Sequence, residues 1–273
     1  MFKESKKNEN QENKQNFKWD SYEIKNKYIQ KEEKTALVTG ASRGIGVALA
    51  NAFAREGWNL VLTCDHTMND MKQAAVQIQN QYPVKIECIQ CDMGNSNAVQ
   101  NLFQEIRNHS SLNLVINNAG IACVKLLQDM TDEEWNHIIA VNLSSVFYTC
   151  REAIPIFLAQ ESGYILNISS VFGENGASCE VAYSATKGAV NALTKALAKE
   201  LAPSKIPVNA IACGCIDTTM NDNLSSEEKS ALAEEIPAGR FGRPDEIAET
   251  AVHLVQLSPY LTGQIITIDG GWR

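Results

Sequence analysis

"TALVTGASRGIG", Thr35 to Gly46, joins a short apolar run to a glycine-rich turn and then to a helical pattern beginning near Val47. The run reads as a buried strand, because a few apolar residues closed by a glycine turn suit a parallel sheet better than a helix. Gly40, Gly44 and Gly46 permit a tight turn and a close approach of backbone to a pyrophosphate, whose charge then lies at a helix N-terminus. A glycine trio alone is weak support. On the first strand-to-helix turn of an α/β sheet it carries more, since ligands in such folds bind outside the carboxyl ends of the strands.

Working outward from this turn, short β-branched runs alternate with longer helical patterns. The runs are "NLVLTC", "VKIECIQ", "LNLVINN", "GYILNIS", "IPVNAIA" and "QIITIDG". Helical segments are expected near residues 44–56, 68–80, 96–108, 131–160, 182–201 and 244–257. The alternation predicts a single α/β domain over residues 34–273: a doubly wound, seven-stranded parallel sheet of Rossmann type, with helices on both faces. Residues 1–33 are rich in Lys, Asn, Gln and Glu and are expected to form a disordered tail, with Phe17, Trp19, Tyr22 and Tyr28 available for a short docking segment.

Composition narrows the partners. With 273 residues, 44% of them hydrophobic, the chain can bury a sizeable core, and its net charge of −8 argues against nucleic acid or an anionic membrane as partner. No run approaches the roughly 18 apolar residues of a membrane span, and the N-terminus lacks the apolar core of a signal peptide, so the expected address is the cytoplasm. Eight cysteines in such a chain are expected to be free thiols. Cys88 and Cys91 form a C-x-x-C and Cys213 and Cys215 a C-x-C, which raises zinc. The spacings differ, the histidines (His66, His109, His137, His253) are scattered, and strand geometry would place Cys88 and Cys91 on opposite faces; no metal site is expected.

Of the seven tyrosines, only Tyr183 has a lysine four residues later, Lys187. In a helix the two share a face. A phenol ordinarily titrates near a pKa of about 10, and a neighbouring ammonium is expected to lower it, giving a general acid. Ser170 ends the run "YILNISS", and Asn142 lies within the helical segment "EEWNHIIAVNLSSVFY".

Taken together, "TGASRGIG", "NNAG" at Asn117 to Gly120 and "YSATK" at Tyr183 to Lys187 resemble the short-chain dehydrogenase/reductase family over residues 34–273. The resemblance implies a nicotinamide cofactor and a tetrad of Asn142, Ser170, Tyr183 and Lys187, with Tyr183 the proton donor, Ser170 holding the carbonyl oxygen and Asn142 holding a water linked to Lys187. It implies cofactor contacts from the glycine loop (Gly40, Ser42, Arg43, Gly44, Ile45, Gly46), from Asp92, Asn117, Asn118, Ala119 and Gly120, from Tyr183 and Lys187, and from Gly214, Ile216 and Thr218. Cys213 stands where the family has proline, so a fixed φ is lost and a looser cofactor loop is expected. Arg43 favours NADP. Asp65 is an acid in the region that selects NAD, but the family position falls at Cys64, and one residue along a strand reverses the face. NADP is the expected cofactor, with NAD the alternative.

The resemblance reaches furthest to reductases of 3-oxoacyl thioesters on acyl carrier protein or coenzyme A. Glu161 and Ser204 stand where those enzymes grip the acidic carrier with arginines. A second resemblance, in "GASCEVAYSATKGAV" and "GCIDTTMN", is to reductases of a 5-aminopentanone group on elongation factor P. A dinucleotide-binding regulator of slow turnover is the alternative from another class. Residues after Thr218 are expected to form a lid. The family also implies a homotetramer built on the two long helices, with Val190, Leu193, Leu197 and Leu201 as an apolar stripe.

Overall fold

In the computed structural model, which describes residues 33–108, 111–222 and 224–272, every expected apolar run becomes a strand. These are β1 (Thr35–Val38), β2 (Asn59–Cys64), β3 (Ile86–Gln90), β4 (Leu114–Asn117), β5 (Tyr164–Ser170), β6 (Val208–Cys213) and β7 (Ile265–Ile268). They form one sheet in the order β3-β2-β1-β4-β5-β6-β7, parallel throughout. The central strands are buried on both faces, which is why they read as continuous apolar runs without alternation. The order reverses between β1 and β4, so the ends of these two strands part and open a crevice.

Helices cover both faces. α1 (Gly44–Arg55), α2 (Met68–Gln81) and α9 (Pro244–Gln256) share one core with the sheet, in which Leu49, Phe53, Met71 and Ile247 are buried. α3 (Ser96–Ile106), α5 (Ser145–Gln160) and α7 (Val181–Leu201) form the other, around Phe103, Phe157 and Val190. Burial of such side chains contributes about 1.5–3 kcal/mol each. Cys88 packs against the first core and Cys91 lies in the second, so the C-x-x-C is split by the sheet. All eight cysteines are free thiols.

Three expectations need correction. The segment 131–160 is not one helix: α4 (Asp132–Ile139) gives way to a π-helical turn, Ala140–Ser144, before α5 begins. Asn142 sits in this turn with both amide atoms bonded outside the helix, and that pull supports the wider winding. Two further helices, α6 (Phe172–Asn175) and α8 (Ser226–Glu235), lie outside the expected helical segments. α8 lies in the expected lid and starts at a reciprocal cap, with the Ser225 hydroxyl accepting from the Glu228 N–H and the Glu228 carboxylate from the Ser225 N–H. Third, the stripe on α7 does not face outward: Val190 and Leu201 are buried against the sheet, and Leu193 and Leu197 pack on the same core.

The expected tail falls outside the described residues except for Glu33, which belongs to the domain. Its carboxylate accepts from Lys85 Nζ at 2.8 and 2.9 Å, and its carbonyl from the Ser111 hydroxyl at 2.6 Å.

Candidate active site

The glycine loop closes β1 and is held from the side by β4. The Thr39 hydroxyl accepts from the N–H groups of Asn118 and Ala119, each at 3.0 Å. Asn118 Nδ2 in turn donates to the carbonyls of Thr39 and Gly40 at 2.8 and 3.0 Å. Asn118 therefore positions the loop. Asn117, its neighbour in "NNAG", faces inward: Nδ2 donates to Asn167 Oδ1 at 2.8 Å and Oδ1 accepts from the Thr149 hydroxyl at 2.6 Å. Its side chain is consumed by the core and is not offered to the crevice, a correction that follows from strand alternation.

The loop leaves room where a dinucleotide needs it. Gly40 and Gly44 have φ of +64° and +55°, the left-handed region that favours glycine. A Cβ on Gly46 would lie 2.2 Å from the Gly40 carbonyl oxygen, and one on Gly40 2.8 Å from Ala119 Cα, so neither position accepts a side chain. A Cβ on Gly44 would meet Thr218 Cγ2 at 3.2 Å. The segment after β6 therefore returns to the glycine loop, with Thr218 beside Gly44. These residues fit a pyrophosphate laid at the start of α1.

The remaining cofactor candidates are less uniform. Ser42 and Ile45 are half-buried within the loop, and Arg43 is exposed and extended, with no side-chain partner among the described residues. Asp65 lies beyond the end of β2, so the strand-face argument does not govern it; its carboxylate is 2.9 Å from His66 Nε2. Asp92 is exposed and accepts from the Gly94 N–H at 2.9 Å. Gly214 has a structural reason to be glycine, because a Cβ there would meet Asp269 Cα at 2.7 Å. Ile216 is buried and bridges to Gly242.

Four polar side chains converge beyond the ends of β4 and β5. Asn142 clamps the backbone of Ile121, accepting from its N–H and donating to its carbonyl, both at 2.8 Å. Lys187 is buried, and its Nζ donates to the Ile168 carbonyl at 2.9 Å and lies 5.5 Å from the centre of the Tyr183 ring. A Cβ on Gly120 would come 3.5 Å from Asn142 Oδ1 and 3.6 Å from Lys187 Nζ, which places "NNAG" against the same cluster. Ser170 is buried, its hydroxyl accepts from the Phe172 N–H at 3.2 Å, and it lies close enough to the Tyr183 phenol to favour the ionised form. The tyrosine ring keeps a partly exposed edge while its hydroxyl is enclosed.

Burial governs the protonation of this cluster. It brings Lys187 from 10.5 down to about 8, because a desolvated ammonium is unfavourable. It pushes the Tyr183 phenol up, with Ser170 opposing. The expectation that Lys187 holds the phenol below its ordinary value is therefore not met: enclosure of the hydroxyl dominates, and the buried Cys213 adds to it. Cys213, paired in register with Ser170 across β5 and β6, is buried and pushed up to about 12. It is a neutral thiol beside the cluster, not a nucleophile.

Comparisons with known proteins agree with this geometry. A family model described as short chain dehydrogenase matches residues 34–229. An uncharacterized oxidoreductase, YmfI of Bacillus subtilis (strain 168), is 38% identical over 241 residues, which cover 88% of this chain and 99% of that one. The 3-oxoacyl-[acyl-carrier-protein] reductase FabG of Staphylococcus aureus (strain Mu50) is 40% identical, covering 88% of this chain and 98% of the relative. The enzyme of that name from Aquifex aeolicus (strain VF5) is 38% identical, covering 89% and 98%. Among solved structures, YwfH, described as an NADPH-dependent reductase involved in bacilysin biosynthesis, matches with a TM-score of 0.84 and 25% identity over 89% of this chain and 99% of that one. Similarity of this extent, on a sheet that brings the glycine turn, "NNAG" and the tyrosine–lysine pair to one crevice, makes the chain a member of the short-chain dehydrogenase/reductase family, and an oxidoreductase.

Proposed function

We propose that the protein is an NADPH-dependent carbonyl reductase in which Tyr183 is the general acid. The observation that carries this reading is the convergence of Tyr183, Ser170, Lys187 and Asn142 at the crevice beside the glycine loop. The dinucleotide, when bound, supplies the hydride that reaches the carbonyl carbon. Tyr183 gives its proton to the carbonyl oxygen, and the Ser170 hydroxyl steadies the charge developing there. The raised phenol keeps its proton until that charge develops. Lys187, brought down to about 8 and 5.5 Å from the ring centre, returns a proton to the phenolate, and Asn142 holds the Ile121 backbone beside the site.

Arg43, a cation in the glycine loop with no side-chain partner among the described residues, supports NADPH over NADH, as does the engagement of the Asp65 carboxylate by His66. A 3-oxoacyl thioester on acyl carrier protein or coenzyme A is the substrate favoured by the FabG relatives. A ketone on modified elongation factor P is the second reading, favoured by Glu161 and Ser204, which offer an acidic carrier no basic grip. Both lie at the C-terminal ends of α5 and α7, the latter about 30 Å along its helix from Tyr183.

The test is initial-rate NADPH oxidation with acetoacetyl thioesters on carrier protein and on coenzyme A. Turnover that drops at least about 100-fold in Tyr183→Phe, with dinucleotide binding retained, is expected. Absence of turnover in a sample shown to bind NADPH would move the assignment to the other ketone. Dinucleotide binding with no turnover of any carbonyl would favour a regulator.

A further inference from the structure

Ser170 ends β5 while Tyr183 and Lys187 ride on α7, so the distance between them is set by whatever joins the two elements. The short helix α6 lies between. On one side its Phe172 N–H donates to the Ser170 hydroxyl at 3.2 Å. On the other, the next residue, Gly173, meets the backbone of α7 at Lys187. A Cβ on Gly173 would come 2.7 Å from the Lys187 carbonyl carbon, 2.9 Å from its oxygen and 2.9 Å from the Gly188 nitrogen. The fit is reciprocal, since a Cβ on Gly188 would meet the Gly173 carbonyl oxygen at 3.1 Å. Neither glycine has a positive φ, so the contact and not the local backbone demands it. The neighbours are backbone atoms, which cannot swing aside; a side chain at either position displaces a helix.

Lys187 is tied to β5 around this contact. Its Nζ donates to the Ile168 carbonyl at 2.9 Å, and its carbonyl accepts from the Ser169 hydroxyl at 3.4 Å. The same hydroxyl lies 2.6 Å from Oδ1 of the buried Asn191, one turn further along α7. Ile168 and Ser169 immediately precede Ser170. The ammonium therefore stays dry only while the α7 backbone stays close to β5 and α6. If α7 moves outward, Nζ regains water and loses the Ile168 bond. The titratable groups that face it are Tyr183 on its own helix and Cys213 at the end of β6. Both are raised by burial and keep their protons where Lys187 titrates, so hydration of Nζ governs its titration.

We propose that Gly173 and Gly188 are positioning residues of the reaction: their backbone contact fixes α7 against α6 and so holds Tyr183 and Lys187 in register with Ser170. This rests on the carbonyl-reductase reading and adds a requirement that none of the four clustered side chains carries, the absence of two Cβ atoms.

The variants are Gly173→Ala and Gly188→Ala, the second a smaller displacement of the same contact should the first not fold. Gly176→Ala, with a φ of +71° and nothing within 4 Å of its Cβ, controls for backbone strain in the same stretch. Lys187 is followed by NMR in the full-length protein isotope-labelled at lysine Cε, its resonance identified by its loss in Lys187→Met. It should titrate at about 8 in the wild type and move toward 10.5 in Gly173→Ala, less far in Gly188→Ala and not in Gly176→Ala. With acetoacetyl-coenzyme A and NADPH, kcat should fall about 10–100-fold in Gly173→Ala, the scale of a misplaced group, with KM changed less than about twofold. Lys187 acts as the ammonium, so kcat falls as pH rises through its titration, and this alkaline limb should move to higher pH with the lysine. A Lys187 titration unmoved in both contact variants, an equal movement in Gly176→Ala, or unchanged kcat beside Tyr183-dependent turnover overturns the proposal and leaves the reductase reading standing. If no carbonyl is reduced while Lys187 moves as expected, the reductase reading fails and the hold of the two glycines on Lys187 stands.

Discussion

At Lys187, the tyrosine–lysine pair was visible in the sequence because four residues make one turn, but its protonation was not. Spacing says that two groups meet; it does not say how much water they retain. With Lys187 at about 8 against 10.5 when exposed, the folded state releases a proton that the unfolded chain keeps between those values. Unfolding free energy therefore rises with pH across that window, and below it the full cost of the buried ammonium is present. Lys187→Met removes that cost and also the bond to the Ile168 carbonyl. It should stabilise the fold near pH 7 by about 1–3 kcal/mol, with the gain shrinking toward about pH 10. Urea unfolding at the two pH values checks this, and a gain independent of pH would refute it. The same variant should lose turnover, since the proton return to Tyr183 is gone.

At the scale of elements, the glycine turn and the π-helical turn behave differently. The first was legible because its demand is local: only a residue without Cβ fits at Gly46, where the Gly40 carbonyl lies 2.2 Å from the missing atom's position. Gly46→Ala should abolish dinucleotide binding and lower the unfolding midpoint, whereas Gly57→Ala, where a Cβ meets nothing within 4 Å, should leave binding intact and cost only its φ of +81°. Isothermal calorimetry with NADPH separates the two. The π-helical turn was not legible, because its cause lies 21 residues away, in the backbone of Ile121. Asn142→Ala leaves that N–H and carbonyl unpaired and should cost about 2–3 kcal/mol by denaturant titration. A change under about 0.5 kcal/mol would show that the wide turn does not depend on the clamp.

Taken whole, the molecule is crossed by a buried polar chain that no motif announces. Thr149, Asn117, Asn167 and Thr194 bond in sequence, linking α5, β4, β5 and α7 beneath the tyrosine–lysine pair. Asn191, nearby, bonds to the Ser169 hydroxyl but leaves its Nδ2 as the one buried side-chain nitrogen or oxygen without a partner among the described residues. The outer surface carries a different message. With the α7 stripe turned to the sheet, the exposed apolar side chains on the long helices are Phe147, Leu158 and Val181. Assembly through these helices predicts a four-chain mass by light scattering, reduced by Phe147→Asp; a one-chain mass for the wild type would refute it. The strand runs, the glycine turn, "NNAG" and the Tyr183–Lys187 spacing determined the family and the sheet, because β-branched burial, φ > 0 and helical periodicity are properties of neighbouring residues. The inward turn of Asn117, the lowered Lys187 and the direction of the α7 stripe were decided only by tertiary structure, because burial and partnership depend on what distant segments bring to the same place.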